Sequence, residues 1–274
     1  MFLNIIKVFL FGIVQGVTEF LPVSSSGHLV ILHKIFPELS IDPVLFDVSL
    51  HLASLLALLY FFRKDIVSLL KAFIYSFFGK RSNESRLAWL LFFATIPAAL
   101  AGFFGESYIE NSLRILPVII FMLALIAVFF IIVEKLAKQK TSWKDIGISQ
   151  ALSIGVAQAF ALIPGTSRSG ITIIAGLAIG LKRESAVRFS FLLAAPIIFG
   201  AGIKKILDLI QDFSIYNNGD FILIVFGFMA SLVSSFLAIK YFVNFSKRNT
   251  LKPFAYYRLI LAFILLLSVF FIRS

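Results

Sequence analysis

Residues 15–28 read QGVTEFLPVSSSGH, from Gln15 to His28. They stand inside an apolar stretch, about 1–36, that is otherwise suited to a membrane helix. Glu19, Pro22 and the run Ser24, Ser25, Ser26 interrupt it near its middle. Hydrocarbon tolerates non-helical backbone and charge only where they line a protected cavity. A helix breaker followed by Ser and Gly predicts a turn and a new helix start. A second apolar stretch, about 146–181, is broken in the same way by PGTSRSGIT, from Pro164 to Thr172.

Six further segments read as clean spans, at roughly 44–62, 86–104, 115–133, 186–203, 221–243 and 254–272. Each approaches the ~20 apolar residues that a helix needs to cross a bilayer core. Their connections differ in charge. Arg63, Lys64, Lys71, Lys80 and Arg81 follow the first span, and Lys135, Lys138, Lys140 and Lys144 follow the third. Lys182 and Arg183 precede the fourth, and Lys247, Arg248 and Lys252 follow the fifth. The alternate connections carry Glu106 and Glu110, then Asp208, Asp212 and Asp220. An excess of Lys and Arg marks the cytoplasmic side, so six crossings put both termini outside.

The two broken segments then have defined roles. Residues 1–43 begin and end outside, and residues 134–185 begin and end inside. Each enters the membrane and turns back, from opposite faces, which is the pattern of an inverted-topology repeat. The expected fold is an all-α polytopic membrane protein with six transmembrane helices and two re-entrant helical hairpins. It forms a single domain over 1–274. The stretch from Phe2 to Val14 lacks a basic start and a small-x-small cleavage site, so it is kept in the mature fold rather than read as a signal peptide. Short words agree with the repeat. Pro22 to Gly27 stands beside Pro164 to Ser169, which aligns Ser25 with Ser167, and Gln15 and Gln158 lie upstream. LFFATIP, ending at Pro97, resembles FLLAAP, ending at Pro196.

Composition supports the membrane reading. Of 274 residues 60% are apolar and 14% charged, and mean hydropathy is +1.00. A soluble domain is ~25% charged, and disorder needs low hydrophobicity. Cysteine is absent, which excludes disulfides and thiolate chemistry. The net charge of +11 is a cytoplasmic collar and implies no nucleic-acid partner.

The two polar words suit phosphate chemistry. Free N–H groups at a helix start, beside Ser hydroxyls, bind anions. Arg168 adds a planar cation suited to bidentate phosphate binding. Gln15 and Glu19 are four apart and share a helical face. Glu19 can be a general base or can hold a divalent cation with a phosphate. Ser24, Ser25 and Ser26 offer hydroxyl nucleophiles, and His28 can serve as acid, base or nucleophile. Asp47 and His51, four apart on the first span, read as supporting residues. Tyr257 and Arg258 read as interface anchors, and Ser153, Gln158 and Thr95 as ordinary packing polar residues.

At these words the sequence resembles the undecaprenyl-diphosphatases, the bacitracin-resistance family of bacterial cell membranes. The family's Glu/Gln-x-x-x-Glu leading into PVSS-x-GH is matched by Gln15, Glu19 and Pro22 to His28. Its PG-x-SRS-x-x-T is matched by Pro164, Gly165, Ser167, Arg168, Ser169 and Thr172. The likeness runs over the whole chain, including FDVSLHLASLLALLYFF from Phe46 and KPFAYYR from Lys252. Gln rather than Glu at position 15 weakens any model with two carboxylate metal ligands. A fainter likeness to type-2 phosphatidic acid phosphatases fails, because no Lys-x6-Arg-Pro word is present. Moreover all three histidines, His28, His33 and His51, precede Arg168.

The resemblance implies hydrolysis of undecaprenyl diphosphate to undecaprenyl phosphate and inorganic phosphate, at a site open to the outer face. That activity recycles the lipid carrier for peptidoglycan synthesis and confers bacitracin resistance. It implies Glu19, Ser25, His28 and Arg168 as catalytic residues. Gln15, Ser24, Ser26, Gly165, Thr166, Ser167, Ser169 and Thr172 would bind substrate. Ser25 is the chosen nucleophile, with His28 or water as alternatives. Glu19 is the candidate ligand for a divalent cation, Mg2+ or Ca2+, and no organic cofactor is expected. The partners are the lipid substrate and the bilayer, and a homodimer is left open. The rival reading is a polyprenyl-phosphate transporter, because broken helices in inverted repeats also build transporters.

Overall fold

The computed structural model describes residues 2–37, 39, 41–210 and 218–273. Asp212, one of the acidic residues of the expected outer connections, lies outside the described residues. The elements are α1 (Phe2–Phe20), α2 (Ser25–Ile35), α3 (Pro43–Phe61), α4 (Arg63–Ser76), α5 (Asn83–Tyr108) and α6 (Leu116–Leu136). After these come α7 (Ile148–Ala159), α8 (Arg168–Ala178), α9 (Arg183–Ile210), α10 (Asn218–Arg248) and α11 (Lys252–Arg273). A π-helical turn at Ile109–Leu113 and short 3₁₀ turns at Trp143–Asp145 and Phe160–Leu162 join them. Among the described residues there is no strand, only one isolated bridge between Thr141 and Leu181.

All six expected spans are helices, as α3, α5, α6, α9, α10 and α11. Seven helices among the described residues are long and apolar enough to cross a membrane, and α1 is the seventh. The first broken stretch has its interruption at the expected turn. Its break falls at residues 21–24, after an unbroken helix of 19 residues. The second has no such helix, since α7 and α8 have 12 and 11 residues. The basic connection after α3 is itself largely helical, because α4 packs Phe73 on Trp89 of α5 with ring centroids 4.7 Å apart. Many large apolar side chains are exposed around the molecule, among them Phe103, Phe104, Phe121, Leu136 and Phe263. A water-soluble surface avoids apolar exposure on this scale, whereas lipid accepts it.

Small residues let the helices approach. A Cβ on Gly12 or Gly16 would run into Gly227, Ser231 and Ser234, which fixes α1 against α10. A Cβ on Gly155 would run into the backbone of Ala94, which fixes α7 against α5. Gly12 and Gly155 are 143 residues apart, the same offset that separates Gln15 from Gln158. α6 packs against α11, and α3 packs against both α9 and α10.

One end of the bundle gathers the basic connections. Arg183 forms a two-pronged bridge to Glu134, with Nε and Nη2 each 2.9 Å from a carboxylate oxygen. The Leu251 amide donates to the same carboxylate at 2.9 Å. Arg188 pairs with Asp65, and Arg86 donates to the carbonyls of Lys144 and Ile146. The starts of α4, α5, α7, α9 and α11 therefore meet the end of α6 at one face. The amide of Lys140 donates to the Gly180 carbonyl at 2.9 Å, and the amide of Lys182 to the Thr141 carbonyl at 3.0 Å. These bonds tie the entrance of α7 to the exit of α8, so that helix pair returns to the end from which it starts.

Candidate active site

The two polar words build the same local structure twice. Ser24 caps α2 and Ser167 caps α8, both at positive φ (77° and 73°). The left-handed region costs a residue with a Cβ roughly 1–3 kcal/mol and persists where surrounding structure enforces it. Each hydroxyl accepts the amide three residues on, from Gly27 at 3.3 Å and Gly170 at 3.1 Å. Each also meets the hydroxyl two residues on, Ser26 at 3.3 Å and Ser169 at 3.2 Å. The equivalence is therefore Ser24 with Ser167 and Ser25 with Arg168. The expected alignment of Ser25 with Ser167 is off by one residue. Helix capping sets the register, and the shared proline does not.

Each turn presents the uncapped first amides of a helix, and the two turns are held side by side. The Ser169 hydroxyl donates to the Leu21 carbonyl at 3.3 Å. The fully buried Arg258 guanidinium spans the junction. It donates to the carbonyls of Pro22 (3.3 Å), Gly165 (2.9 Å), Met122 (3.1 Å) and Leu123 (3.2 Å). Arg258 is therefore no interface anchor; it binds both turns to α6. Gly165 (φ 93°) is required there, since a Cβ would sit 2.7 Å from the Ile119 carbonyl oxygen.

Glu19, at the last turn of α1, stands at the centre. One carboxylate oxygen accepts from the Ser25 hydroxyl at 2.7 Å. The other accepts from Arg168 Nη2 at 3.1 Å. Arg168 Nη1 also donates to the Ser190 carbonyl at 3.3 Å, which braces the guanidinium from α9. His51 Nδ1 lies 3.2 Å from Glu19 and 3.0 Å from the Gln15 amide nitrogen. It can donate to the carboxylate as one tautomer or accept from Gln15 as the other. Read from sequence as a supporting residue, His51 touches Glu19 directly. Asp47 turns away to His33 (2.9 Å) and Arg114 (3.5 Å).

Gln15 is buried and fully engaged. Its carbonyl oxygen accepts from Ser54 at 2.8 Å and Ser231 at 2.7 Å, and its nitrogen faces His51 and Glu19. That arrangement orients Glu19 from behind. His28 is not joined to Ser25. Its Nδ1 is 2.7 Å from the Ser24 carbonyl, which can only accept, so Nδ1 carries the proton. Nε2 then accepts from the Tyr257 hydroxyl at 2.7 Å in the neutral ring. Thr172 faces the α8–α9 packing, its hydroxyl 2.8 Å from the Arg168 carbonyl and 2.6 Å from Ser190. Thr166 is buried beside Gly165 and its hydroxyl has no partner among the described residues.

Arg258, Tyr257 and His51 escaped the sequence reading as members of this site. One signal for Arg258 was available: it lies six residues beyond Lys252, already inside an apolar span, as a third charge at depth. Among the described residues no three His, Asp or Glu side chains cluster so as to hold a metal ion. Glu19 is the carboxylate at the two turns, and its oxygens already face Arg168, His51 and Ser25.

Paired helix starts around a carboxylate, a serine hydroxyl and a guanidinium suit a phosphate group, in a chain built as a multi-pass membrane protein. The chain belongs to the family of the bacitracin resistance protein BacA, whose model matches residues 8–264. It is 42% identical to an undecaprenyl-diphosphatase of Rubrobacter xylanophilus over 95% of this chain and 96% of that one. It is 40% identical to an undecaprenyl-diphosphatase of Alteromonas mediterranea over 98% of this chain and all of the other. An undecaprenyl-diphosphatase of Caldicellulosiruptor bescii is 41% identical over 93% and 94%.

Proposed function

We infer that this chain is an undecaprenyl-diphosphatase: it cleaves undecaprenyl diphosphate to undecaprenyl phosphate and inorganic phosphate. Full-length similarity to relatives of that name supports the substrate, and membership of the bacitracin-resistance family supports the physiological role. The observation that carries the chemistry is the Ser25 hydroxyl bonded at 2.7 Å to a carboxylate that also holds Arg168.

The reaction is a phosphoryl transfer in two steps. Ser25 Oγ attacks the terminal phosphorus while its proton passes to Glu19. The bond from that phosphorus to the bridging oxygen breaks, and its electron pair stays on the lipid phosphate. Glu19 gives that proton up to the departing lipid phosphate; water then attacks the phosphoserine, Glu19 takes a proton from the water, and it returns that proton to Ser25 Oγ as inorganic phosphate leaves. Arg168 and the first amides of α2 and α8 face the charge that develops on the transferred group. Arg258 forms no salt bridge among the described residues, so its buried charge adds positive potential under both turns. Glu19 is the residue that would hold a divalent cation, together with bound substrate. When bound it would offset the negative charge of the diphosphate.

The same reading extends to topology. The basic end of the bundle faces the cytoplasm, both termini lie outside, and the site opens to the outer face. α1–α2 and α7–α8 are taken as opposed hairpins of an inverted repeat. Support comes from the equivalent Ser24 and Ser167 caps, the 143-residue offset and the matching packing of α1 on α10 and α7 on α5. Phosphate release from undecaprenyl diphosphate by the purified protein tests the activity. Movement of undecaprenyl phosphate across liposomes without hydrolysis would establish the transporter instead.

A further inference from the structure

Gln158 occupies the position of Gln15 in the second polar unit, 143 residues on. The two amides have opposite circumstances. Gln15 is paired at both its oxygen and its nitrogen. Gln158 is 1% exposed, and neither its nitrogen nor its oxygen has a hydrogen-bond partner among the described residues. A buried amide left unpaired is costly, so a retained one marks a place where something else completes it. Gln158 lines a cavity of about 300 Å³ together with Glu19, His51 and Arg168.

That cavity has a direction. Its polar end is the catalytic cluster. Apart from Lys205 its remaining lining is apolar, and it runs past Val48 and Leu52 of α3 to between α5 and α9, where Ala98, Leu162, Ile197, Ala201 and Lys205 are shared with a second cavity of about 620 Å³. An amphiphile entering it puts its charged head at Glu19 and Arg168 and its chain between α5 and α9. Gln158 lines the same cavity as Glu19 and Arg168. We propose that the Gln158 amide holds the lipid-side phosphate of the diphosphate, the one that remains on the polyprenyl product. Its N–H group donates to an oxygen of that phosphate, while Arg168 and the helix starts serve the terminal phosphate. Gln158 is thus a substrate-positioning residue that separates lipid phosphate from inorganic phosphate. The inference rests on the phosphatase reading for its ligand.

The test measures binding directly, so that it does not depend on turnover. Affinities of undecaprenyl phosphate and of inorganic phosphate are determined for the full chain in detergent, together with Tm. Gln158→Leu is expected to weaken undecaprenyl phosphate binding about tenfold or more, the effect of losing a hydrogen bond to a charged group. Inorganic phosphate binding stays unchanged, and Tm is unchanged or raised, because the unpaired amide is gone. Gln158→Glu, which adds a negative charge, weakens lipid phosphate binding further. Ser153→Ala, on the exposed face of α7, changes nothing. Unaltered lipid phosphate affinity in Gln158→Leu overturns the proposal, as does equal weakening of both ligands or a fall in Tm alongside the loss. Failure of the wild-type protein to hydrolyse undecaprenyl diphosphate, with Gln158-dependent binding intact, sinks the phosphatase reading alone.

Discussion

Glu19 and Arg168 lie 149 residues apart in the chain and 3.1 Å apart in the fold. Both are nearly buried, Arg168 with 11% and Glu19 with 7% of the side chain exposed. The pair joins the two polar words into one site and, on the proposed reading, sets the guanidinium for a phosphate. A buried ion pair of this kind is weak evidence of stability, yet removing one partner strands the other charge. Arg168→Ala should therefore lower stability by about 3 kcal/mol and reduce phosphate release at least 100-fold. Arg168→Lys keeps the charge without the planar fork and should recover stability better than turnover. Thermal melting in detergent and initial rates separate the two effects.

Ser25 has a direct bond to Glu19 and no structural duty of comparable weight, since Ser24 does the capping. Ser25→Ala should reduce kcat at least 100-fold with little change in KM or Tm. Ser24→Ala should instead lose about 1 kcal/mol of stability through the missing cap. Rapid acid quenching of the wild-type protein with labelled undecaprenyl diphosphate should recover phosphoserine at Ser25. Equal turnover in Ser25→Ala would remove the covalent route.

Tyr257 reaches the site through His28, with the hydroxyl 2.7 Å from Nε2 and the two rings stacked 8° from parallel. Tyr257→Phe keeps the stacking and removes the hydroxyl. Acting through His28, the candidate acid or base beside the turn, it should lower kcat about tenfold and should alter the pH profile of kcat more than KM. An unchanged pH profile would confine Tyr257 to packing.

Arg258 donates to four carbonyl oxygens, two in the turns and two, on Met122 and Leu123, inside α6. Arg258→Met takes that donor away from the Pro22 and Gly165 carbonyls of the two turns, at about 1–3 kcal/mol for each buried group. The full chain should then fail to melt cooperatively, or melt far lower. Arg258→Lys has three donors on a flexible stem and should not restore either turn. Wild-type melting of either variant would show that the turns hold without this clamp.

Much of this architecture is legible in the amino-acid order. Hydropathy alone marks α3, α5, α6, α9, α10 and α11, because each needs only length and apolar content. The charges of the basic end are legible for the same reason, and Arg183, Glu134 and Arg86 do meet there. Glu19, Ser25 and Arg168 stand out because charge and hydroxyls at depth are rare. The rest depends on contacts that no local pattern records. His51 meets Gln15 across 36 residues and Tyr257 meets His28 across 229. The register of the two turns follows from which serine adopts positive φ, and three consecutive serines conceal that choice. Gln158 reads as an ordinary packing residue until its lack of partners is seen in three dimensions.

The central claim is that one site, built where the two polar words meet, releases phosphate from a polyprenyl diphosphate. The most direct measurement is inorganic phosphate release from undecaprenyl diphosphate by the purified chain, compared with Ser25→Ala and Arg168→Ala variants that still melt cooperatively. The account predicts steady release by the wild-type protein and loss of at least 100-fold in both variants. Release by either variant at the wild-type rate, or none by the wild-type protein, would contradict it.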